Sequence, residues 1–186
     1  MHIIIFGASR GVGRAAVAAA IAAGQTVTAF ARNTESLTTS EAAVVAGDVL
    51  DRVAVERALT GDGAVIVALG VRPGEGAKTP EDVCSRGTRT IVEAMRAAAL
   101  RRIVVVSSYG VGPTRDRLPF VFGLVAKTLL KGIMADKERQ EQDVRDSGLD
   151  WTIVQPMGLT DDPATNQPYV SIDGSRRSNR VARADV

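Results

Sequence analysis

Short apolar runs alternate with longer amphipathic stretches along most of the chain. Residues 2–6 (HIIIF) are apolar after His2, the pattern of a strand buried on both faces. Residues 11–23 are rich in alanine and predict a helix that Gly24 ends from the C′ position. TVTAFA (26–31) and AAVVAG (42–47) predict two further strands. A helix over 51–59, stopped by Gly61, leads to a buried strand at AVIVALG (64–70). The Gly/Pro loop VRPGEGAKTPED comes next, then a helix over 81–98 with Val83, Ile91, Val92, Met95 and Ala98 as apolar positions. RIVVVSS (102–108) predicts a strand, 136–147 a strongly charged helix, and WTIVQP (151–156) a sixth strand.

Strands separated by helices require crossovers, which are right-handed, and so a parallel sheet. The expected fold class is therefore α/β, a Rossmann-type doubly wound parallel sheet in three αβα layers. After Pro156 the pattern loosens: GLTDDPATNQP reads as loop, YVSID as a short strand, and ARADV as a helix just beginning. The expectation is one domain over residues 1–186 whose C-terminal end is cut short or not shown.

Composition narrows the class. With 186 residues, 45% hydrophobic and 24% charged, the chain can build one well-buried core. A net charge of +2 is too small an excess to argue for nucleic acid. The densest basic stretch, SRRSNRVAR (175–183), reads as a solvated loop. The single cysteine, Cys84, excludes an internal disulfide and fits a reducing compartment. The most apolar later segment, FVFGLVAKTLLKGIM (120–134), is interrupted by Lys127 and Lys131 and is too short to span a bilayer. The chain enters strand-like sequence at once, so no signal peptide is expected. These features point to a cytoplasmic protein without nucleic-acid or membrane partners.

The chemistry lies in FGASRGVGR (6–14), between the first strand and the first helix. In a doubly wound sheet this turn passes close beneath a dinucleotide's pyrophosphate. Gly7 supplies the turn, Gly11 lets the backbone approach the phosphates, and Gly13 lets the helix pack on the strand. The helix N-terminus adds open N–H donors and partial positive charge. Glycines at this G-x-x-x-G-x-G spacing signal little alone; their place in a strand-turn-helix unit gives them meaning.

The second strand selects the cofactor. NAD sites usually end it with an acid on the ribose 2′-hydroxyl. Here VTAFARN (27–33) ends with Arg32, and Arg10 in the glycine loop can approach the same place. Paired guanidinium bonds suit a 2′-phosphate that a carboxylate would repel. The expected cofactor is NADP(H).

GASRGVGR resembles the nucleotide loop of the short-chain dehydrogenase/reductase superfamily. VCSRGTRTIVEAMRAAALRRIVVVSS, ERQEQDVRDSGLDWTIVQPMGLTD and YVSIDGSRRSNRVARADV are similar to its atypical branch. That branch holds the NmrA-like, NAD(P)H-binding proteins and includes biliverdin reductase B, also known as flavin reductase. The resemblance implies phosphate contacts from Gly7, Ser9, Arg10, Gly11, Val12 and Gly13, with Arg32 on the 2′-phosphate. It also implies Asp48 and Val49 beside adenine, Leu69 and Gly70 beneath the nicotinamide ribose, and Pro156 and Met157 behind the nicotinamide.

The superfamily's dehydrogenases use Ser, Tyr and Lys, with Tyr and Lys spaced Y-x-x-x-K. Lys137 falls where that lysine is expected, but Ile133 occupies the tyrosine position. Of Ser107 and Ser108 at the end of the fifth strand, Ser108 is the favoured catalytic serine, and Tyr109 beside it can reach the same space. A conjugated acceptor needs little protic help, so a reductase acting on a flavin, quinone or tetrapyrrole-like small molecule fits best. The alternative is a non-catalytic NADP(H)-binding sensor of the NmrA-like type. A single histidine, His2, cannot build a His-rich metal site, and no metal is expected. Asp161 and Asp162 read as a solvated turn. The oligomeric expectation is monomer or homodimer.

Overall fold

The computed structural model describes residues 1–37, 41–71, 82–119, 123–125 and 128–186. Six strands form one parallel sheet: β1 (His2–Phe6), β2 (Thr26–Ala31), β3 (Ala43–Ala46), β4 (Gly63–Val67), β5 (Arg102–Val106) and β6 (Asp150–Val154). Their order is β3-β2-β1-β4-β5-β6. Strand β1 pairs with β2 and β4, His2 standing opposite Thr26 on one side and Gly63 on the other. The direction of winding reverses between β1 and β4, which opens a crevice at their carboxyl ends.

Alternating side chains of β1 feed two cores. Ile4 and Phe6 pack with Phe30 beneath α2 (Arg52–Ala58), α3 (Val83–Ala97) and α4 (Lys131–Arg145). Ile5 joins Val27, Ala29 and Ala31 against Val17 and Ala20 of α1 (Gly11–Ala22) on the opposite face. The Phe6 and Phe30 rings meet at 4.9 Å between centroids, tilted by 49°. Helix α1 ends as its sequence predicts. Gly24 takes φ +69 while its N–H and that of Gln25 reach back to the carbonyls of Ile21 and Ala20.

Several boundaries differ from the sequence expectation. Strands β4 and β5 stop at Val67 and Val106, so Leu69, Gly70, Ser107 and Ser108 lie beyond the ladder. Helix α4 begins at Lys131, five residues before the predicted 136, because Gly132, Ile133 and Met134 continue the helix rather than end it. YVSID forms no strand. Its place is taken by a two-stranded parallel pair, β7 (Gly158–Thr160) and β8 (Arg180–Ala182). ARADV holds a short 3-10 turn, Arg183–Asp185, which packs on α1. Most of the predicted loop VRPGEGAKTPED lies outside the described residues, as do residues 120–122 and 126–127 of the apolar segment.

Packing at the first turn is tight. A Cβ on Gly13 would lie 2.1 Å from the Gly7 carbonyl oxygen, whereas one on Gly24 would meet nothing within 4 Å. Gly13→Ala therefore lowers stability by about 3 kcal/mol through a clash that only backbone movement relieves. Gly24→Ala carries only the left-handed backbone penalty, about 1 kcal/mol. Urea midpoints of the two variants check the difference.

Candidate functional site

A cleft of about 390 Å³ opens at the carboxyl ends of β1, β2 and β4. Gly7, Ser9 and Arg10 of the glycine loop form one wall. Arg32, Asn33, Glu35 and Ser36 follow β2, and Gly47 and Val49 follow β3. Leu69 and Gly70 close the side beyond β4. Arg10 reaches across from the loop, its guanidinium donating to the Gly70 carbonyl at 3.4 Å. Ser36 fastens the turn after β2 to the same loop by donating to the Ser9 carbonyl at 2.7 Å. Arg10 and Arg32 thus line one cavity, as their positions in the sequence predict.

The remaining glycine-loop residues sit behind that wall. Gly11, Val12 and Gly13 begin α1, whose first turn carries no acidic side chain and whose cap residue, Arg10, makes no side-chain cap bond. Its positive end is left to an anion. Glu35 is a cleft residue that the sequence reading missed. It follows β2 closely enough for the Asn33 side chain to accept its backbone N–H at 2.9 Å.

Asp48 lies in the turn that follows β3. Its carboxylate accepts the Leu50 N–H at 2.9 Å and closes its own turn, while its neighbours Gly47 and Val49 face the cleft. An Asx turn of this kind is the ordinary use of aspartate at a strand end.

The ends of β5 and β6 lie side by side. Tyr109 donates its N–H to the Pro156 carbonyl at 3.0 Å, and Ser107 to that of Val154 at 2.8 Å. Ser108, Tyr109, Pro156 and Met157 therefore lie in one region. The chemical detail differs. The Tyr109 hydroxyl donates to the Gly174 carbonyl at 2.9 Å, and its ring is 8% exposed beneath the 173–176 segment. Among the described residues the Ser108 hydroxyl makes one long bond, to the Tyr109 carbonyl at 3.3 Å. Ser107 is the buried hydroxyl without a partner among the described residues.

Lys137 lies buried beside the ends of two strands. It is 6% exposed, and its ammonium donates to the Leu69 carbonyl at 2.8 Å, the Val106 carbonyl at 2.8 Å and Gln140 Oε1 at 2.9 Å. An ammonium has three protons to give. All three are engaged within the protein, so Lys137 ties the ends of β4 and β5 to α4 rather than standing in the cleft.

Other buried polar groups hold α4 in place. Asp136, one residue earlier, accepts the N–H groups of Cys84 and Ser85 at 2.9 and 3.1 Å and caps α3 from outside that helix. Fully buried Glu141 accepts from Arg145 and Gln155, each at 2.7 Å. Burial pushes the Cys84 thiol up from its ordinary range, against the pull of the nearby Lys137 ammonium. Among the described residues no helix is long and apolar enough to cross a membrane.

Residues 7–186 match the sequence model of a family described as NAD(P)H-binding, and the chain belongs to that family. An uncharacterised chloroplastic protein of Arabidopsis thaliana is 28% identical over 193 residues, covering 97% of this chain and 67% of its own. ChuY, an anaerobillin reductase from Escherichia coli O157:H7, is 25% identical and covers 100% of this chain and 86% of its own, with a TM-score of 0.79. A short-chain dehydrogenase/reductase from Veillonella parvula DSM 2008, in complex with NADP, shares the fold at 19% identity and a TM-score of 0.71, covering 98% of this chain and 82% of its own. The glycine loop and the strand order agree with an NAD(P)H-binding protein of Rossmann-type fold.

Lys137→Met leaves two strand-end carbonyls and Gln140 without their donor. It lowers stability by about 3 kcal/mol, whereas Ser108→Ala costs less than about 1 kcal/mol. Denaturant titration of both variants separates the structural lysine from the dispensable serine.

Proposed function

We propose that the protein is an NADPH-dependent reductase that passes hydride to a conjugated small-molecule acceptor of the flavin, quinone or tetrapyrrole kind. One observation carries the cofactor choice: Arg10 and Arg32 line the same cleft at the end of β2. The residues fit a dinucleotide. A Cβ at Gly7 or Gly13 would strike backbone oxygen at 2.6 or 2.1 Å, so both positions serve a close turn beneath a ligand.

In this reading Arg32, aided by Arg10, grips the 2′-phosphate, and α1 presents its N-terminus to the pyrophosphate. Leu69, held by Lys137, and Gly70, held by Arg10, form the floor beneath the nicotinamide ribose. Pro156 and Met157 back the ring from the β6 side. When bound, NADPH would supply a hydride, two electrons with one proton, and be oxidised to NADP⁺. The reduced acceptor takes any further proton from solvent. The likeness to an anaerobillin reductase supports reduction as the class of reaction.

A second reading, an NADP(H) sensor without turnover, draws on a specific feature. Ile133 stands one turn before Lys137, and both the Lys137 ammonium and the Tyr109 hydroxyl are engaged within the protein.

Following the loss of reduced-nicotinamide absorbance with FMN as acceptor separates the two readings. The reductase turns over NADPH in preference to NADH; a sensor binds NADPH and consumes none. Arg32→Ala lowers kcat/KM for NADPH by about 30-fold, as expected for losing a charge-assisted pair, and changes that for NADH by less than about threefold.

A further inference from the structure

The C-terminal turn carries an arginine to the mouth of the glycine loop. Arg183 opens the Arg183–Asp185 turn that packs on α1. A Cβ on Gly11 would lie 3.6 Å from Arg183 Nε and 3.7 Å from its Cδ. The guanidinium therefore lies against the first residue of α1, at the positive end of that helix. A guanidinium beside the positive end of a helix can share one anion with it.

Asp161, after β7, holds the guanidinium meanwhile, accepting from Arg183 Nη1 at 2.8 Å. The Asp161 side chain is 91% exposed and that of Arg183 30%. A pair so open to water is weak and readily exchanged. A diphosphate offers several oxygens to a guanidinium fork, together with the helix terminus, and competes well with one solvated carboxylate.

We propose that Arg183 is a positioning residue for the cofactor's pyrophosphate, held over Gly11 by Asp161 and transferred to the phosphates when the dinucleotide binds. The proposal rests on the dinucleotide reading above and adds a contact from the far end of the chain. It gives the Asp161–Arg183 pair a purpose: an arginine kept in place but not locked.

The test compares two ligands by isothermal titration. NADPH carries the pyrophosphate, whereas adenosine 2′-monophosphate keeps the 2′-phosphate and lacks every 5′ phosphate. Arg183→Gln weakens NADPH about tenfold, the loss of one charge-assisted contact, and leaves adenosine 2′-monophosphate within about twofold. The second ligand also reports that the variant is folded. Asp161→Asn removes a competitor and a negative charge, and strengthens NADPH by about two- to threefold. If Arg183→Gln weakens both ligands equally, or neither, Arg183 is only a structural tie and the proposal fails. Parallel losses of NADPH affinity in both variants overturn it too. If the wild-type protein binds neither ligand, the dinucleotide reading itself falls, and this inference with it.

Discussion

The site depends first on how closely α1 can approach β1. Where a Cβ on Gly13 would stand, the Gly7 carbonyl oxygen is 2.1 Å away. That contact sets the helix start directly behind the strand end, so its open N–H groups and partial charge face the crevice between β1 and β4. A larger residue would move the helix outward and carry Ser9 and Arg10 with it. The wall of the cleft follows from one missing side chain.

The far side of the cleft is held differently, by a buried charge. Lys137 joins Leu69 and Val106, which follow and end different strands, to Gln140 on its own helix. Burying an ammonium is costly unless every proton is matched, and here each has an oxygen. Asp136 and Glu141 on the same helix anchor the start of α3 and the Gln155 amide beyond β6. Helix α4 thus carries a row of polar anchors where α3 presents mainly apolar residues. Its composition reads as a solvated helix although much of its charge is inside, which explains why its packing was hard to foresee.

The strands and the first helix were legible because their signals are local. An apolar run of four residues, a glycine at a helix end and a strand-glycine-helix succession each have one simple physical solution. Arg10 and Arg32 were legible for the same reason, since both sit at fixed offsets from β1 and β2. What was hidden depends on distant partners. Three-residue strands such as β7 and β8 are too short for a period to appear, and their pairing joins segments far apart in sequence. Asp48 and Lys137 carry residue types that suit a site, yet their hydrogen bonds turn one to its own loop and the other to two strand ends. Arg183 looked like part of a solvated basic stretch until the C-terminal turn came to rest on α1.

The same geometry limits the chemistry. An alcohol or ketone substrate develops charge on a single oxygen, and an enzyme that reduces a ketone needs an acid near it. Ile133 offers none, and the Tyr109 hydroxyl donates elsewhere unless the 173–176 segment moves. A conjugated acceptor spreads the incoming charge over a ring system and can wait for a proton from water. For such a substrate, holding the two partners face to face supplies most of the rate, and a floor of strand ends fixed by a buried lysine is suited to that task. The three hydrogen bonds of Lys137 hold Leu69 and Val106 in fixed relation to its own helix.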